Sequence, residues 1–232
     1  LAHDEGFQRI VQKGQATAAP ERGHSVHVEV RGLEPGRWYH YRFMLGQATS
    51  ATGRTCTAPA LDALPGRLRV AFASCQRWEH GHYAAWRHVC SDQPDLVLFL
   101  GDYIYEYATP KNTEGLARTH TLRYATTLAD YRDRYALHKS DPALQAAHAA
   151  CPWAVTWDDH EVQNDYAGGT NAQADAAAFL TQRAAAWQAF YENMPLRATA
   201  LAGAQFDRLQ VYRRLPWGRL ALLCPRPRSP VL

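Results

Sequence analysis

The sequence predicts an α/β domain preceded by part of a β-sandwich. From about residue 67 onward, apolar strand-like runs alternate with stretches of helical spacing, which implies helices layered on a largely parallel sheet. Before that point, apolar residues alternate with a period of two, as in half-buried antiparallel strands. Between the patterns lies Pro59 to Gly66, "PALDALPG", a turn-rich linker. The expected units are a partial sandwich over 1–59, a linker over 60–66 and the α/β part over 67–232.

In chain order, "HSVHVEV" sets Val26, Val28 and Val30 on one face. "LEPGRWYHYRFMLG" opens with turn chemistry at Leu33–Gly36 and then aligns Tyr39, Tyr41, Phe43 and Leu45. A complete sandwich needs about seven strands, so the sandwich is expected to be cut at its N-terminus. "RLRVAFAS" is the first strand of the α/β part, and "GHYAAWRHVCSD" a short helix. "PDLVLFLGD" is a strand without alternation, hence buried on both faces. "TLRYATTLADYRDRYALHK" carries Leu122, Ala125, Leu128, Ala129, Tyr131 and Tyr135 at helical spacing. "SDPALQAAHAAC" offers Asp141 as N-cap and Pro142 as first helical residue. "PWAVTWDD" is a strand, and "NAQADAAAFLTQRAAAWQAFYENMP" a long Ala-rich helix ending near Pro195.

Composition narrows the class. The chain has 232 residues, 47% of them apolar and 20% charged, as in an ordinary globular protein. A net charge of +3 from 25 basic and 22 acidic residues argues for neither a nucleic-acid partner nor an anionic membrane. No apolar run approaches a membrane span. Five cysteines, an odd number without CxxC spacing, argue against a disulfide framework or a zinc ribbon. Residue 1 is Leu, so the chain is expected to begin inside a longer precursor, with any export signal upstream.

Three expected strands end in polar residues: Ser74-Cys75-Gln76, Gly101-Asp102 and Asp158-Asp159-His160-Glu161. Ligands of α/β domains collect at such carboxyl ends. A lone Gly-Asp is more often a turn or cap; the run of four ionisable residues cannot be buried cheaply without partners, though a solvated loop also explains it. Several other groups read as structural. His80 and His82 suit a solvated turn, and His148 a helix histidine. Arg132, Arg134 and Lys139 suit the end of a helix, and Tyr103, Tyr105 and Tyr107 strand-edge packing. Thiolate and phenolate together favour a redox-capable metal such as iron, while carboxylates alone favour calcium, magnesium or manganese. A metal cluster there would polarise a phosphoryl oxygen.

The motifs "FASCQ", "LVLFLGDYIYEY", "YRDRYALHKSDPALQAAHAACPWAVTWDDHEVQNDYAG" and "FLTQRAAAWQAFYENMP" resemble, in order and spacing, those of the PhoD-like alkaline phosphatases. The resemblance runs from about residue 20 to about residue 220. It implies a catalytic domain of calcineurin-like metallophosphoesterase type behind a small fibronectin- or immunoglobulin-like sandwich. It also implies a secreted or periplasmic phosphatase, exported by the twin-arginine route, monomeric, and acting on small phosphate monoesters and diesters with iron and calcium. Carried over, Cys75 is a thiolate ligand to iron, Asp102 bridges iron and calcium, and Tyr105 is a phenolate ligand. Asp159, with Asp158, lies on the calcium side. His160 assists the leaving group and Asn164 contacts the phosphate. A metal-activated hydroxide or oxide is expected to attack in line, without a covalent enzyme intermediate.

The family pattern continues with an Asp-Thr-Arg motif and later an Asp-x-His pair, neither of which these 232 residues contain. The ending "CPRPRSPVL" lacks helical or strand period and reads as a frame change or premature end. Such a chain is expected to expose a sheet edge and to bind metal weakly. A catalytically dead remnant, acting at most as a binding module, is the alternative. A calcineurin-like two-metal hydrolase proper would want Asp-x-His at the first strand, where Ser74-Cys75-Gln76 stands.

Overall fold

A computed structural model of the chain describes residues 1–170, 175–201 and 205–224. The first four of the residues expected to begin the long helix, 171–174, and the tail 225–232 lie outside the described residues.

The N-terminal region forms two small antiparallel ladders. Strand β1 (Trp38–Tyr41) pairs with β4 (Gly53–Cys56), and β2 (Met44–Leu45) with β3 (Ala48–Thr49). Ala2 extends the first ladder by exchanging backbone bonds with His40 at 2.8 and 2.9 Å. Tyr39 is buried as its alternation predicts, but Phe43 and Leu45 are exposed because the β2–β3 hairpin projects into solvent. The expected strand over Val26–Val30 is absent. That segment has no ladder partner, and its polar residues dock it instead. The His27 ring stacks on Tyr191 at 4.1 Å and bonds the Leu196 carbonyl at 2.7 Å, while Glu29 accepts from the Ala198 N–H.

The α/β part is built on three parallel strands in the order β5 (Val70–Ala73), β6 (Leu96–Phe99), β7 (Trp153–Val155). The central strand β6 is largely buried, as its unbroken apolar run requires. At the β5 edge, Phe72 is 76% exposed. Helices α1 (Ala85–Ser91) and α3 (Pro142–Ala150) pack together, as do α2 (Leu128–Lys139) and α4 (Ala176–Asn193). Trp86 of α1 stacks on Phe99 and packs at a tilt against Trp153 on the sheet. Trp157, just past β7, packs on Trp187 and Phe190 of α4.

Local chemistry sets the helix ends. Asp141 caps α3, accepting from the Ala143 and Leu144 N–H groups as predicted. Helix α2 starts later than its apolar spacing suggests. Thr127 and Asp130 form a capping box, and the Ala125 N–H is drawn to the Glu106 carbonyl, so Leu122 and Ala125 precede the helix. Arg132 makes a two-point contact with Glu192 at 2.7 and 2.8 Å, tying α2 to α4. Arg134 is buried and serves the carbonyls of Glu106, Leu122 and Arg123. His148 is packed, stacking on Trp153 at 3.8 Å and bonding the Tyr103 hydroxyl at 2.8 Å. His80 and His82 are exposed.

A final hairpin of β8 (Arg213–Trp217) and β9 (Leu220–Cys224) fastens Asp62 and Ala63, residues of the stretch expected to be a linker. The Arg219 N–H and Nε donate to the Ala63 and Asp62 carbonyls, each at 3.0 Å. Further forward, the Glu21 carbonyl accepts from Arg132 and from Gln188 of α4.

A buried ionic group joins the loop after β5 to the segment before α2. Glu79 meets His120 Nε2 at 3.3 Å and Arg77 Nε at 3.4 Å. Burial pushes the Glu79 carboxyl up, but hydrogen bonds from His120 and the backbone, with the Arg77 charge, override it and hold the pKa at about 2. Its ordinary value is 4.5, so its contribution to stability is complete above that pH and is lost as pH falls toward 2. Urea unfolding of wild type and Glu79→Gln at pH 7 and pH 3 should show a stability gap that narrows on acidification; a gap independent of pH would contradict this.

Candidate metal centre

The centre forms where the three parallel strands end. Past β5 and β6 the backbones stay paired: Cys75 N–H donates to the Gly101 carbonyl and Gln76 N–H to that of Asp102, both at 3.1 Å. Both loops turn through left-handed backbone, with φ of 58° at Cys75, 113° at Gly101 and 56° at Asp102. For the two non-glycine residues this costs about 1 kcal/mol each. Gly101 has a second reason to lack a side chain, since a Cβ there would sit 2.5 Å from the Asp158 nitrogen. The strand-end turn of β7 lies directly against that of β6.

Glu161 locks these turns together. Its fully buried carboxylate accepts from three backbone N–H groups: Asp102 at 3.1 Å, Tyr103 at 2.6 Å and Asp158 at 2.9 Å. Burial pushes its pKa up to about 8 against the pull of those donors.

Above this scaffold the side chains converge. Ligand atoms of Asp102, Asp159 and His160 lie within 4.8 Å of one another. Asp102 Oδ2 accepts from the Cys75 thiol at 3.4 Å and the Tyr105 hydroxyl at 3.1 Å. Asp102 Oδ1 is buried with no hydrogen-bond partner among the described residues. Such an orphaned carboxylate oxygen is costly in a protein interior. Asp159 Oδ2 accepts from the Asp165 N–H at 2.5 Å. Anionic groups crowd one another here. Burial raises the Cys75 thiol and the Tyr105 phenol, and neighbouring Asp102 adds to both; burial followed by Asp102 and Asp159 raises Asp158. A cation at the centre would answer the unpartnered oxygen and relieve this crowding. A thiol, a phenol, two carboxylates and an imidazole form a donor set that fits a metal ion.

His160 is held from behind. Its Nδ1 donates to Glu106 Oε2 at 2.8 Å, and its ring lies 4.2 Å from that of Tyr105. Against an acceptor-only carboxylate the proton is fixed on Nδ1, leaving Nε2 for the site. Burial lowers the imidazole pKa, but the hydrogen bond and charge of Glu106 prevail and raise it. Glu106 Oε1 accepts from the Asn164 N–H at 2.9 Å and the Tyr124 hydroxyl at 3.3 Å.

Of the residues singled out from sequence, Cys75, Asp102, Tyr105, Asp159 and His160 are brought together. Asp158 is exposed and outside the close group, contributing its N–H to Glu161. Asn164 is exposed, and its amide nitrogen is engaged by Asp165 at 2.7 Å. Two residues not singled out organise the site, Glu106 and Glu161. The available signal was their position in otherwise buried motifs, where a carboxylate must find donors.

Gly101→Ala should cost about 2–3 kcal/mol, because a Cβ meets backbone in a left-handed conformation. Equilibrium urea unfolding reads it; an unchanged midpoint would mean the two turns are not rigidly apposed.

Comparison with known proteins accords with this geometry. The family model "PhoD-like phosphatase" matches residues 70–225, and "PhoD-like phosphatase, N-terminal domain" matches residues 1–59. Alkaline phosphatase D of Bacillus subtilis (strain 168) is 48% identical over 224 residues, covering 95% of this chain and 38% of the relative. A solved structure titled "Structure of PhoD" superposes with a TM-score of 0.91 at 47% identity, covering 96% of this chain and 43% of that one. The chain thus spans about two-fifths of the length of these relatives. With matching family models over most of its length and a shared mixed α/β fold, the chain belongs to the PhoD-like phosphatase family.

Proposed function

We propose that the chain carries the metal-binding strand ends of a phosphatase that hydrolyses small phosphate monoesters and diesters. The observation that carries this reading is Asp102. One of its oxygens is shared by a thiol and a phenol, and the other is unpartnered, with Asp159 and His160 within ligand reach. Iron and calcium are the metals we assign, iron to the Cys75 and Tyr105 side of Asp102 and calcium to the Asp159 side, with Asp158 at its rim. Bound there, the ions would polarise the phosphoryl oxygens and lower the pKa of water.

The chain's own residues do the rest. Asp102 would serve as a ligand on both sides, and Cys75 and Tyr105 would give up their protons on ligation. We assign Asn164, exposed beside Asp165, to a phosphate oxygen. Glu106 holds the His160 ring from behind, and we assign His160 Nε2 to protonating the leaving oxygen. Attack of water on phosphorus breaks the P–O bond to the leaving oxygen, giving an alcohol with phosphate from a monoester or with a phosphate monoester from a diester. The intact convergence of the side chains favours an enzyme over a remnant. We read the N-terminal ladders as part of a β-sandwich over 1–59, joined by 60–66 to a catalytic layout of calcineurin-like type. A secreted or periplasmic monomer is the setting we infer from the family resemblance.

Metal content and hydrolysis of p-nitrophenyl phosphate and its bis ester, with and without chelator, test the reading. Asp102→Ala should lose bound metal and reduce hydrolysis to background; hydrolysis that survives both would rule it out. Glu106→Gln should move the alkaline limb of the pH–rate profile for an alkyl phosphate to lower pH, since the imidazolium loses its anionic partner. An unmoved limb would remove His160 as the proton donor.

A further inference from the structure

We propose that Arg77 reads substrate charge at this site, binding the third unesterified oxygen of a phosphate monoester and so favouring monoesters over diesters. The inference rests on the phosphatase reading above and adds to it a residue and a substrate class.

Arg77 lies two residues beyond Cys75 on the loop after β5. Its guanidinium carbon sits 5.9 Å from the Tyr105 ring centre and 5.4 Å from that of Tyr107. The same two rings lie 4.2 and 5.3 Å from the ring of His160, and the Tyr105 hydroxyl touches Asp102 at 3.1 Å. Arg77 therefore stands one aromatic ring away from the candidate centre, on a wall it shares with His160.

Neutralising Glu79 accounts for only part of this side chain. Arg77 meets Glu79 through Nε alone, at 3.4 Å, whereas Glu79 also has His120 at 3.3 Å. The two terminal nitrogens of Arg77 have no protein acceptor among the described residues, and the side chain is 23% exposed. A guanidinium fixed by an ion pair at one edge and by rings on its face is preorganised to bind an oxyanion with the other edge.

Counting oxygens gives the selectivity. A phosphate monoester has three unesterified oxygens and two negative charges; a diester has two oxygens and one charge. If the cations held around Asp102 and Asp159 engage two oxygens, only the monoester has one left for Arg77. The monoester's second charge also strengthens the attraction to the guanidinium.

Calorimetric titration of the metal-loaded chain tests this without turnover. Methylphosphonate offers three free oxygens, and its monomethyl ester two. Wild type should bind methylphosphonate about tenfold or more tighter than the ester. Arg77→Gln should weaken methylphosphonate by about tenfold, leave the ester nearly unchanged, and keep the same metal content. Arg77→Lys, which keeps the charge but not the fork, should fall between. Equal affinities in wild type and Arg77→Gln, or equal weakening of both ligands, would overturn the proposal and leave the phosphatase reading standing. Wild type that holds metal but binds neither ligand would overturn both. Should Arg77→Gln fail to fold with Glu79 uncovered, the double variant Arg77→Gln/Glu79→Gln removes both charges and carries the same readings.

Discussion

Three backbone N–H groups pointing at one buried carboxylate hold this site in shape. Glu161 accepts from Asp102, Tyr103 and Asp158, so one side chain fixes the turns that follow β6 and β7. Without it, the buried N–H groups of Asp102 and Tyr103 would be left without partners, each at about 1–3 kcal/mol. The left-handed backbone at Asp102 and the close approach at Gly101 persist because this anchor over-determines them. The chemistry above is downstream of that main-chain geometry. Asp102 is aimed by a turn that Glu161 holds, and Asp102 in turn gathers Cys75 and Tyr105.

Two carboxylates thus divide the labour of support. Glu161 serves the backbone, and Glu106 serves His160 while accepting from Asn164 and Tyr124. Both are fully buried, and both lie in stretches that also supply a candidate ligand. This is the arrangement expected where a functional group must be held within a fraction of an ångström: reactive side chains in front, and carboxylates behind them satisfied by fixed donors.

Much of this frame was legible in the sequence. The unbroken run Leu96–Phe99 announced a central strand, and Asp141-Pro142 announced a capped helix. The polar strand ends Cys75, Asp102 and Asp159 pointed to one edge of a sheet. Other features were hidden for physical reasons. Val26–Val30 alternates like a strand, yet a strand exists only where a partner accepts its ladder, and alternation says nothing of partners. Leu122 and Ala125 share the spacing of α2, but the Thr127–Asp130 capping box decides where the helix begins. Glu161 was read within an ionisable run because its role depends on N–H groups 58 and 59 residues away. Such distances are set by the fold and leave no local trace.

The fastening of the linker has a consequence in time. Asp62 and Ala63 are held by Arg219, and the Asp62 contact spans 157 residues. Glu21 likewise waits for Arg132 and Gln188. At a synthesis rate of about 5–20 residues per second, the linker emerges roughly 8–30 s before the hairpin that holds it. During that interval the N-terminal ladders must survive on their own contacts, which are few and partly exposed. The two-residue β2–β3 hairpin, with Leu45 in water, is the part of the nascent chain with most need of shelter.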